Sequence, residues 1–146
     1  MKTRIRIHQV EPTGYKAILG LEKFIESTPL TITHKNLIKI RASQINGCAF
    51  CIDMHTREAR KAGETEQRIY ALNAWRDTPF FAEDERAILA LTEEVTLIGN
   101  HVKNQTYVDA SNALGEVYLA QVILAVITIN AWNRIGIATQ LVPDAA

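Results

Sequence analysis

Apolar residues recur along most of the chain at intervals of three and four positions, which is the spacing of one face of an α-helix. In the segment PTGYKAILGLEKFIEST, one stripe holds Tyr15, Ile18, Leu21, Glu22 and Ile25. The chain has no strong alternation of apolar and polar residues of the kind that a half-buried strand shows. The pattern therefore predicts an all-α protein.

Several segments with this spacing also carry signals for helix ends. The helix in THKNLIKIRASQIN is predicted to have Thr33 as its N-cap, because a threonine hydroxyl can accept a hydrogen bond from a free backbone N–H. The next helix begins near Cys48 and stops at Gly63, since glycine suits the position after a helix end. A short helix in TEQRIYALNAW ends near Pro79, and a further one opens with the acidic run at positions 83–85.

The last predicted helix runs from about Gly115 to Arg134 and is apolar nearly all round, as expected of the central helix of a bundle. Its most apolar part, Val117–Ile129, has 13 residues, which is too short to span a bilayer. We therefore predict six or seven helices in a single domain, positions 1–146, with no linker, repeat or low-complexity tract.

Charge and composition argue against several classes of function. The 16 basic residues are balanced by 16 acidic ones, and no basic run or basic face joined to aromatic residues indicates nucleic-acid binding. The start of the chain, MKTRIRIHQV, lacks the apolar core of a signal peptide. The expected compartment is the cytoplasm, where a cysteine pair is more often redox-active or metal-binding than permanently bridged.

The segment RASQINGCAFCIDMH contains both cysteines of the chain and a histidine. Cys48, Cys51 and His55 are spaced i, i+3 and i+7, so their side chains share one face of a helix. Gly47 allows a tight turn into that helix, whose first turn has free backbone N–H groups that favour a thiolate. The segment thus supplies a nucleophile, a second thiol that can close a disulfide, and a proton carrier.

This segment has two other interpretations. A structural zinc site needs four ligands, usually from two such cysteine pairs, and the chain has one pair with the remaining histidines scattered. The cysteines could instead be small core residues, with His55 a satisfied helix histidine, since free cysteine is often buried for packing alone. Spacing alone does not remove this second interpretation.

A longer stretch, IKIRASQINGCAFCIDMHTREARKAGETEQRIYALNAWRDTPFF, closely resembles the core of the AhpD-like alkylhydroperoxidase branch of the carboxymuconolactone decarboxylase family. The segment LAVITINAWNRIGIA in the last helix resembles the same branch, so the match covers about Thr33 to Ala138. The resemblance implies an AhpD-like helical fold that forms homo-oligomers, as trimers or hexamers. It also implies a C-x-x-C pair that reduces hydroperoxides through a dithiol and disulfide cycle.

By position, the resemblance makes Cys51 the thiol that attacks the peroxide, Cys48 the resolving thiol that exchanges with the reductant, and His55 the relay histidine. The implied partners are a hydroperoxide and an external dithiol of the lipoyl type on a carrier protein, with no metal or organic cofactor bound. Thiol chemistry alone would favour the N-terminal cysteine as the activated one. The lactone decarboxylases of the superfamily generally lack the pair, which makes that activity the weaker alternative.

Two relay positions depart from the pattern of the branch. The relay glutamate, twelve residues before the first cysteine, is replaced by Asn36, and a histidine found between the cysteines in some members is replaced by Phe50. Asparagine cannot take up a proton near neutral pH. Either another carboxylate such as Glu116 or Asp53 replaces it, or His55 acts alone. The third possibility is disulfide exchange or a redox-responsive oligomer with weak peroxidase activity.

Residues around the motif have two possible roles each. Trp132, with its neighbouring asparagines, either packs in the core or at a subunit contact, or lines the thiol pocket. Arg41 and Gln44 either orient the Gly47 turn or face solvent. The sequence does not decide between these roles.

Overall fold

The computed structural model describes residues 4–145, and every regular element in that part of the chain is helical. Two 3₁₀ helices, Leu72–Asp77 and Ile98–Asn100, join longer elements. The α-helices are α1 (Ile7–Val10), α2 (Pro12–Ser27), α3 (Ile32–Asn46), α4 (Ala49–Lys61), α5 (Glu66–Tyr70), α6 (Glu83–Thr96), α7 (Asn104–Leu114) and α8 (Glu116–Thr139). The predicted all-α fold is confirmed, and in the described residues α2 to α8 are the seven α-helices with five or more residues.

The predicted N-cap of α3 is wrong by two residues. Thr31, not Thr33, has the extended backbone of a cap residue, and its hydroxyl accepts a hydrogen bond from the backbone N–H of His34 at 3.1 Å. Thr33 already lies within the first helical turn. The predicted end of α4 is confirmed, since Gly63 follows the helix with a φ of 95° that favours glycine.

The segment predicted as one short helix around Tyr70 is divided in two. The α5 helix ends at Tyr70, and the following 3₁₀ helix is interrupted at Ala74, whose φ of −121° leaves the helical region. The division turns Trp75 inward, where 4% of its surface is exposed.

The central helix, α8, continues past the predicted end at Arg134 to Thr139. By length and composition alone its 24 residues could cross a membrane. It instead packs against α2, α3, α4, α6 and α7, as the core helix of a bundle does. Its buried residues form the main core together with side chains from α2, α3 and α6.

The turn between α3 and α4 positions the cysteine pair. Gly47 has a φ of 70°, in the left-handed region, which ends α3 and turns the chain directly into α4. An amide network fixes the end of α3, because Asn46 Nδ2 donates to Asn130 Oδ1 and to Asn133 Oδ1, both at 2.9 Å. Asn133 in turn donates to Ser43 Oγ at 2.9 Å. The network holds the start of α4 at a fixed place against α8.

Candidate functional site

A disulfide joins Cys48 and Cys51 at the start of α4, with their Cα atoms 5.3 Å apart. Cys48 is the N-cap residue, and its Sγ accepts a weak hydrogen bond from the backbone N–H of Cys51 at 3.4 Å. Both side chains are buried. The structure therefore confirms that the pair can close a local disulfide at a helix start, where free N–H groups favour a thiolate in the reduced form.

Helix α8 passes directly behind this disulfide. A Cβ atom built on Gly136 would lie 3.0 Å from Cys48 Sγ and 3.6 Å from Cys51 Sγ. Glycine is thus the residue that lets the backbone of α8 approach the sulfurs without a clash. Cys48 is walled in by α8 on this side.

Cys51 also lines a cleft of about 1000 Å³ between α2, α3, α4 and the end of α8. We call this space the thiol cleft. Apolar side chains such as Leu19, Phe50, Met54 and Ile135 form much of its wall. The cleft is large enough for a drug-sized organic molecule rather than for a small peroxide alone.

His55 lies one turn after Cys51 on the same face of α4 and also lines the thiol cleft. Its Nδ1 is 2.9 Å from Glu58 Oε2. A carboxylate only accepts hydrogen bonds, so Nδ1 carries the proton and Nε2 is the basic nitrogen of the neutral ring. Burial lowers the pKa of His55, and the Lys39 ammonium lowers it further, against the opposing effect of Glu58. The imidazole is therefore neutral, and able to accept a proton, at pH 7.

A group of three residues, the Glu22 cluster, forms another wall of the thiol cleft. Glu22 accepts hydrogen bonds from Lys39 Nζ at 2.7 Å and from the indole Nε1 of Trp132 at 2.9 Å. Burial alone would raise the pKa of Glu22, but the Lys39 and Trp132 hydrogen bonds outweigh it and hold the pKa below the usual range. The carboxylate is therefore charged at neutral pH.

A second group, the Glu93 cluster, repeats this chemistry elsewhere in the bundle. Glu93 accepts from Arg41 Nε at 2.9 Å, from Trp75 Nε1 at 2.8 Å and from the guanidinium of Arg76. Burial opposes ionisation here too, yet these donors lower the pKa of Glu93. Lys39 and Arg41 are two positions apart on α3 and so point to nearly opposite faces of that helix.

The predicted site residues are mostly brought together. Cys51 and His55 line the thiol cleft, as do Asn36 and Phe50 at the two positions that depart from the family pattern. The two carboxylates named as replacements do not: Asp53 pairs with Arg57 at 3.0 Å, and Glu116 is exposed in the first turn of α8. That suggestion was wrong because neither position faces the cleft.

The sequence did not reveal the three charged residues of the cleft that act on the pKa of His55. Glu58 could have been found, since a residue three positions after His55 on a helix is its neighbour. Glu22 is a charged residue on the apolar stripe of α2, which was a signal in itself. Lys39 was passed over because its partners come from another helix.

Trp132 and Arg41 now have defined places. Trp132 lines the thiol cleft and packs edge-on against Tyr15, with ring centroids 5.3 Å apart. Arg41 belongs to the Glu93 cluster and also donates to Gln44 Oε1 at 3.1 Å, so its side chain does not face bulk solvent.

Comparison with known proteins gives a consistent result. Residues 12–94 match the model of the carboxymuconolactone decarboxylase family. The uncharacterized protein YdfG of Bacillus subtilis is 44% identical over 139 residues, which cover 94% of this chain and 95% of YdfG. The uncharacterized protein YnjA of Escherichia coli is 26% identical over 70 residues, 48% of this chain and 38% of YnjA.

Several solved structures share the fold, among them the following two. The first is ATU0492 from Agrobacterium tumefaciens, a protein of unknown function with a suggested AhpD antioxidant-defence role. It is 35% identical with a TM-score of 0.96, over 99% of this chain and 100% of that chain. The second is the apo debrominase Bmp8, with 20% identity and a TM-score of 0.80 over 88% of this chain and 70% of that chain. At that identity the second likeness concerns the fold alone.

Proposed function

Because the chain belongs to the carboxymuconolactone decarboxylase family, we propose that it is a thiol-dependent hydroperoxide reductase of the AhpD type. The observation that carries this proposal is the Cys48–Cys51 disulfide, whose Cys51 lines a large cleft next to a buried histidine. A decarboxylase has no use for a redox dithiol, so the pair favours the antioxidant branch over lactone chemistry.

In the proposed reaction, the Cys51 thiolate attacks the terminal oxygen of the hydroperoxide, and the O–O bond breaks. The alkoxide leaves as an alcohol after taking a proton, and Cys51 becomes a sulfenic acid. The Cys48 sulfur then attacks Cys51, expelling water and forming the disulfide. His55 takes the thiol proton at Nε2 and returns it to the leaving oxygen, while Glu58 fixes the ring through Nδ1.

An external dithiol closes the cycle. Its thiolate attacks one sulfur of the disulfide, a mixed disulfide forms, and its second thiol releases the reduced protein with oxidised dithiol as the product. The family resemblance predicts Cys48 as the sulfur attacked and a lipoyl group as the dithiol. In Cys48→Ser and Cys51→Ser proteins the remaining thiol is mixed with oxidised lipoamide, whose disulfide it opens to a mixed disulfide, and mass spectrometry then shows which sulfur exchanges with the reductant.

The proposal includes assembly into a homo-oligomer, a trimer or a hexamer. Large apolar side chains on α8 support it, because Val117 is 73% exposed and Ile127 and Ile137 are each 46% exposed. Light scattering coupled to size-exclusion chromatography measures the mass. A monomer at micromolar concentration would contradict this part of the proposal.

The alternative is a disulfide reductase or redox-responsive oligomer with weak peroxidase activity. Asn36 favours it, since an amide lines the cleft where the branch has a carboxylate that moves protons. This protein would exchange disulfides with a model substrate much faster than it consumes an alkyl hydroperoxide.

Sulfenic acid trapping tests the proposed function. The Cys48→Ser protein, treated with cumene hydroperoxide and dimedone, should form a dimedone adduct at Cys51, because no resolving thiol removes the sulfenic acid. The matched Cys51→Ser protein should form none. Equal adduct formation in both variants, or in neither, would contradict the assignment of Cys51.

A further inference from the structure

Lys39 is a nearly buried cation in the wall of the thiol cleft. Its side chain is 14% exposed, and its Nζ lies 2.7 Å from Glu22 Oε1 and 3.3 Å from Glu26 Oε1. Lys39 is three positions after Asn36, so the two residues are neighbours on the face of α3 that borders the cleft. A charged group thus stands one turn from the position where the family pattern has its relay carboxylate.

Its partners hold this ammonium in place. Glu22 is bonded on one oxygen to Lys39 and on the other to the Trp132 indole, which anchors the carboxylate to α8. Although burial opposes the charged form, Glu22 and Glu26 raise the pKa of Lys39 above its ordinary value. Lys39 therefore keeps its proton throughout the neutral range, and it acts as a fixed charge rather than as a proton donor.

We infer that Lys39, anchored by Glu22 and Trp132, is a positioning residue that supplies a fixed positive charge to the thiol cleft and so favours the Cys51 thiolate and a neutral His55. This inference rests on the proposed function, since it concerns the reduced form of the same dithiol. In this role Lys39 acts as a fixed charge, and no other carboxylate has to take over the proton transfer of the glutamate that Asn36 replaces. A cation stabilises the thiolate and destabilises the imidazolium at the same time.

The charges around His55 come from three helices. Glu58 on α4 and Glu22 on α2 favour the imidazolium, whereas burial and Lys39 on α3 oppose it, and the net effect is a lowered pKa. The other charged or titratable residues that line the same cleft are Arg6, His8, Glu26, Lys35 and Asp144. Removing the Lys39 charge should therefore raise the pKa of both the Cys51 thiol and the His55 ring. Removing the Glu22 charge should lower both pKa values.

Alkylation of Cys51 by iodoacetamide as a function of pH measures this effect without peroxide. Each substitution is made in the full-length Cys48→Ser protein, so that one thiol reacts. Lys39→Met should move the alkylation midpoint up by about one pH unit. At a pH well below the midpoint, this shift is a tenfold loss of thiolate. Glu22→Gln, which keeps one acceptor oxygen for Lys39 or Trp132 and removes the negative charge, should move the midpoint down. The NMR titration of the His55 ring should shift in the same two directions.

The Glu93 cluster provides matched controls. Arg41→Met removes a cation from the other face of α3, and Glu93→Gln removes its partner carboxylate on α6. Both should leave the midpoint unchanged. Lys39→Arg should keep most of the wild-type midpoint because it keeps the charge. Thermal unfolding shows whether each variant folds, and Lys39→Gln serves in place of Lys39→Met if that protein does not.

The outcomes separate the inference from the proposed function. Opposite shifts in Lys39→Met and Glu22→Gln support the inference even if the wild-type protein consumes no hydroperoxide, in which case the proposed function alone fails. Shifts of the same sign, or none in folded proteins, would overturn the inference while leaving peroxide reduction untouched.

Discussion

Two glutamates of this bundle have similar partners and different surroundings. In the Glu22 cluster and in the Glu93 cluster alike, the carboxylate accepts from a tryptophan indole and from a cation on α3, and its pKa is lowered despite burial. The Glu22 cluster borders a cleft that also contains Cys51 and His55, whereas the Glu93 cluster ties α3 and α6 to the segment around Trp75. The same interaction stabilises the fold in both places, and only a neighbouring thiol and imidazole make one of them relevant to chemistry.

The largest effect on activity is expected for a substitution in the thiol cleft, compared with the same substitution outside it. His55→Gln removes the basic nitrogen of the residue one helical turn after Cys51 in the thiol cleft, and should lower the rate of hydroperoxide consumption about 10²–10⁴-fold. The thiols remain, so slow oxidation by excess peroxide should persist. Stopped-flow loss of tryptophan fluorescence or of free thiol measures the rate. The substitution His101→Gln, at a surface position outside the cleft, is the control, and an equal loss there would refute the role of His55.

The second prediction compares the stability of the two clusters. Glu93→Ala leaves Arg41 and the Trp75 indole without their acceptor, and should lower the free energy of unfolding by about 3 kcal/mol. Glu22→Ala should cost about 2 kcal/mol, because the Glu22 side chain is 23% exposed and that of Glu93 is 13% exposed. Urea unfolding of both proteins measures the difference. The comparison fails if Glu22→Ala proves the more destabilising by a clear margin.

A third prediction concerns the close approach of α8 to the sulfurs. Gly136→Ala places a methyl group against Cys48 Sγ and should destabilise the oxidised protein by about 1 kcal/mol or more, in spite of the better helix propensity of alanine. Gly20→Ala, in α2 where nothing lies near the new methyl group, should stabilise by about 0.5–1 kcal/mol. Opposite signs in thermal unfolding support the packing argument, and stabilisation by both substitutions would contradict it.

The smallest effects are expected in the pH dependence of stability. Glu22 and Glu93 have pKa values below 4.5 in the folded state, so their contribution is complete above pH 4.5 and is lost as the pH falls through the lowered values. His55 has a folded pKa below 6.5, so protonation favours the unfolded chain. Stability should therefore fall as the pH drops from 6.5 towards the folded pKa. His55→Gln should flatten this second region, and Glu93→Gln should leave it unchanged, in urea titrations at a series of pH values.

The local part of the site was predictable from the sequence because helical spacing fixes it. Cys48, Cys51 and His55 belong to one helix, and the Gly47 turn before them is a local signal. The helix ends that were predicted well, such as Gly63, also depend on neighbouring residues alone. The cap of α3 was misplaced because two threonines two positions apart both satisfied the pattern.

The rest of the site depends on how distant helices pack. Lys39 meets Glu22 across 17 positions of the chain, and Trp132 meets Glu22 across 110. No local pattern specifies which carboxylate faces which cation in such cases. The sequence therefore suggested Asp53 and Glu116 as replacement carboxylates, whereas the cleft contains Glu22 and Glu58. The charged position on the apolar stripe of α2 was the useful clue.

The central claim is that Cys48 and Cys51 form a dithiol that reduces hydroperoxides, and stoichiometry tests it most directly. The reduced wild-type protein is mixed with one equivalent of an alkyl hydroperoxide, and free thiols, alcohol and intact mass are measured together. We expect both thiols to disappear in parallel, one equivalent of alcohol to form, and the mass to fall by two hydrogen atoms. If both thiols survive while the peroxide persists, the chain is not a hydroperoxide reductase.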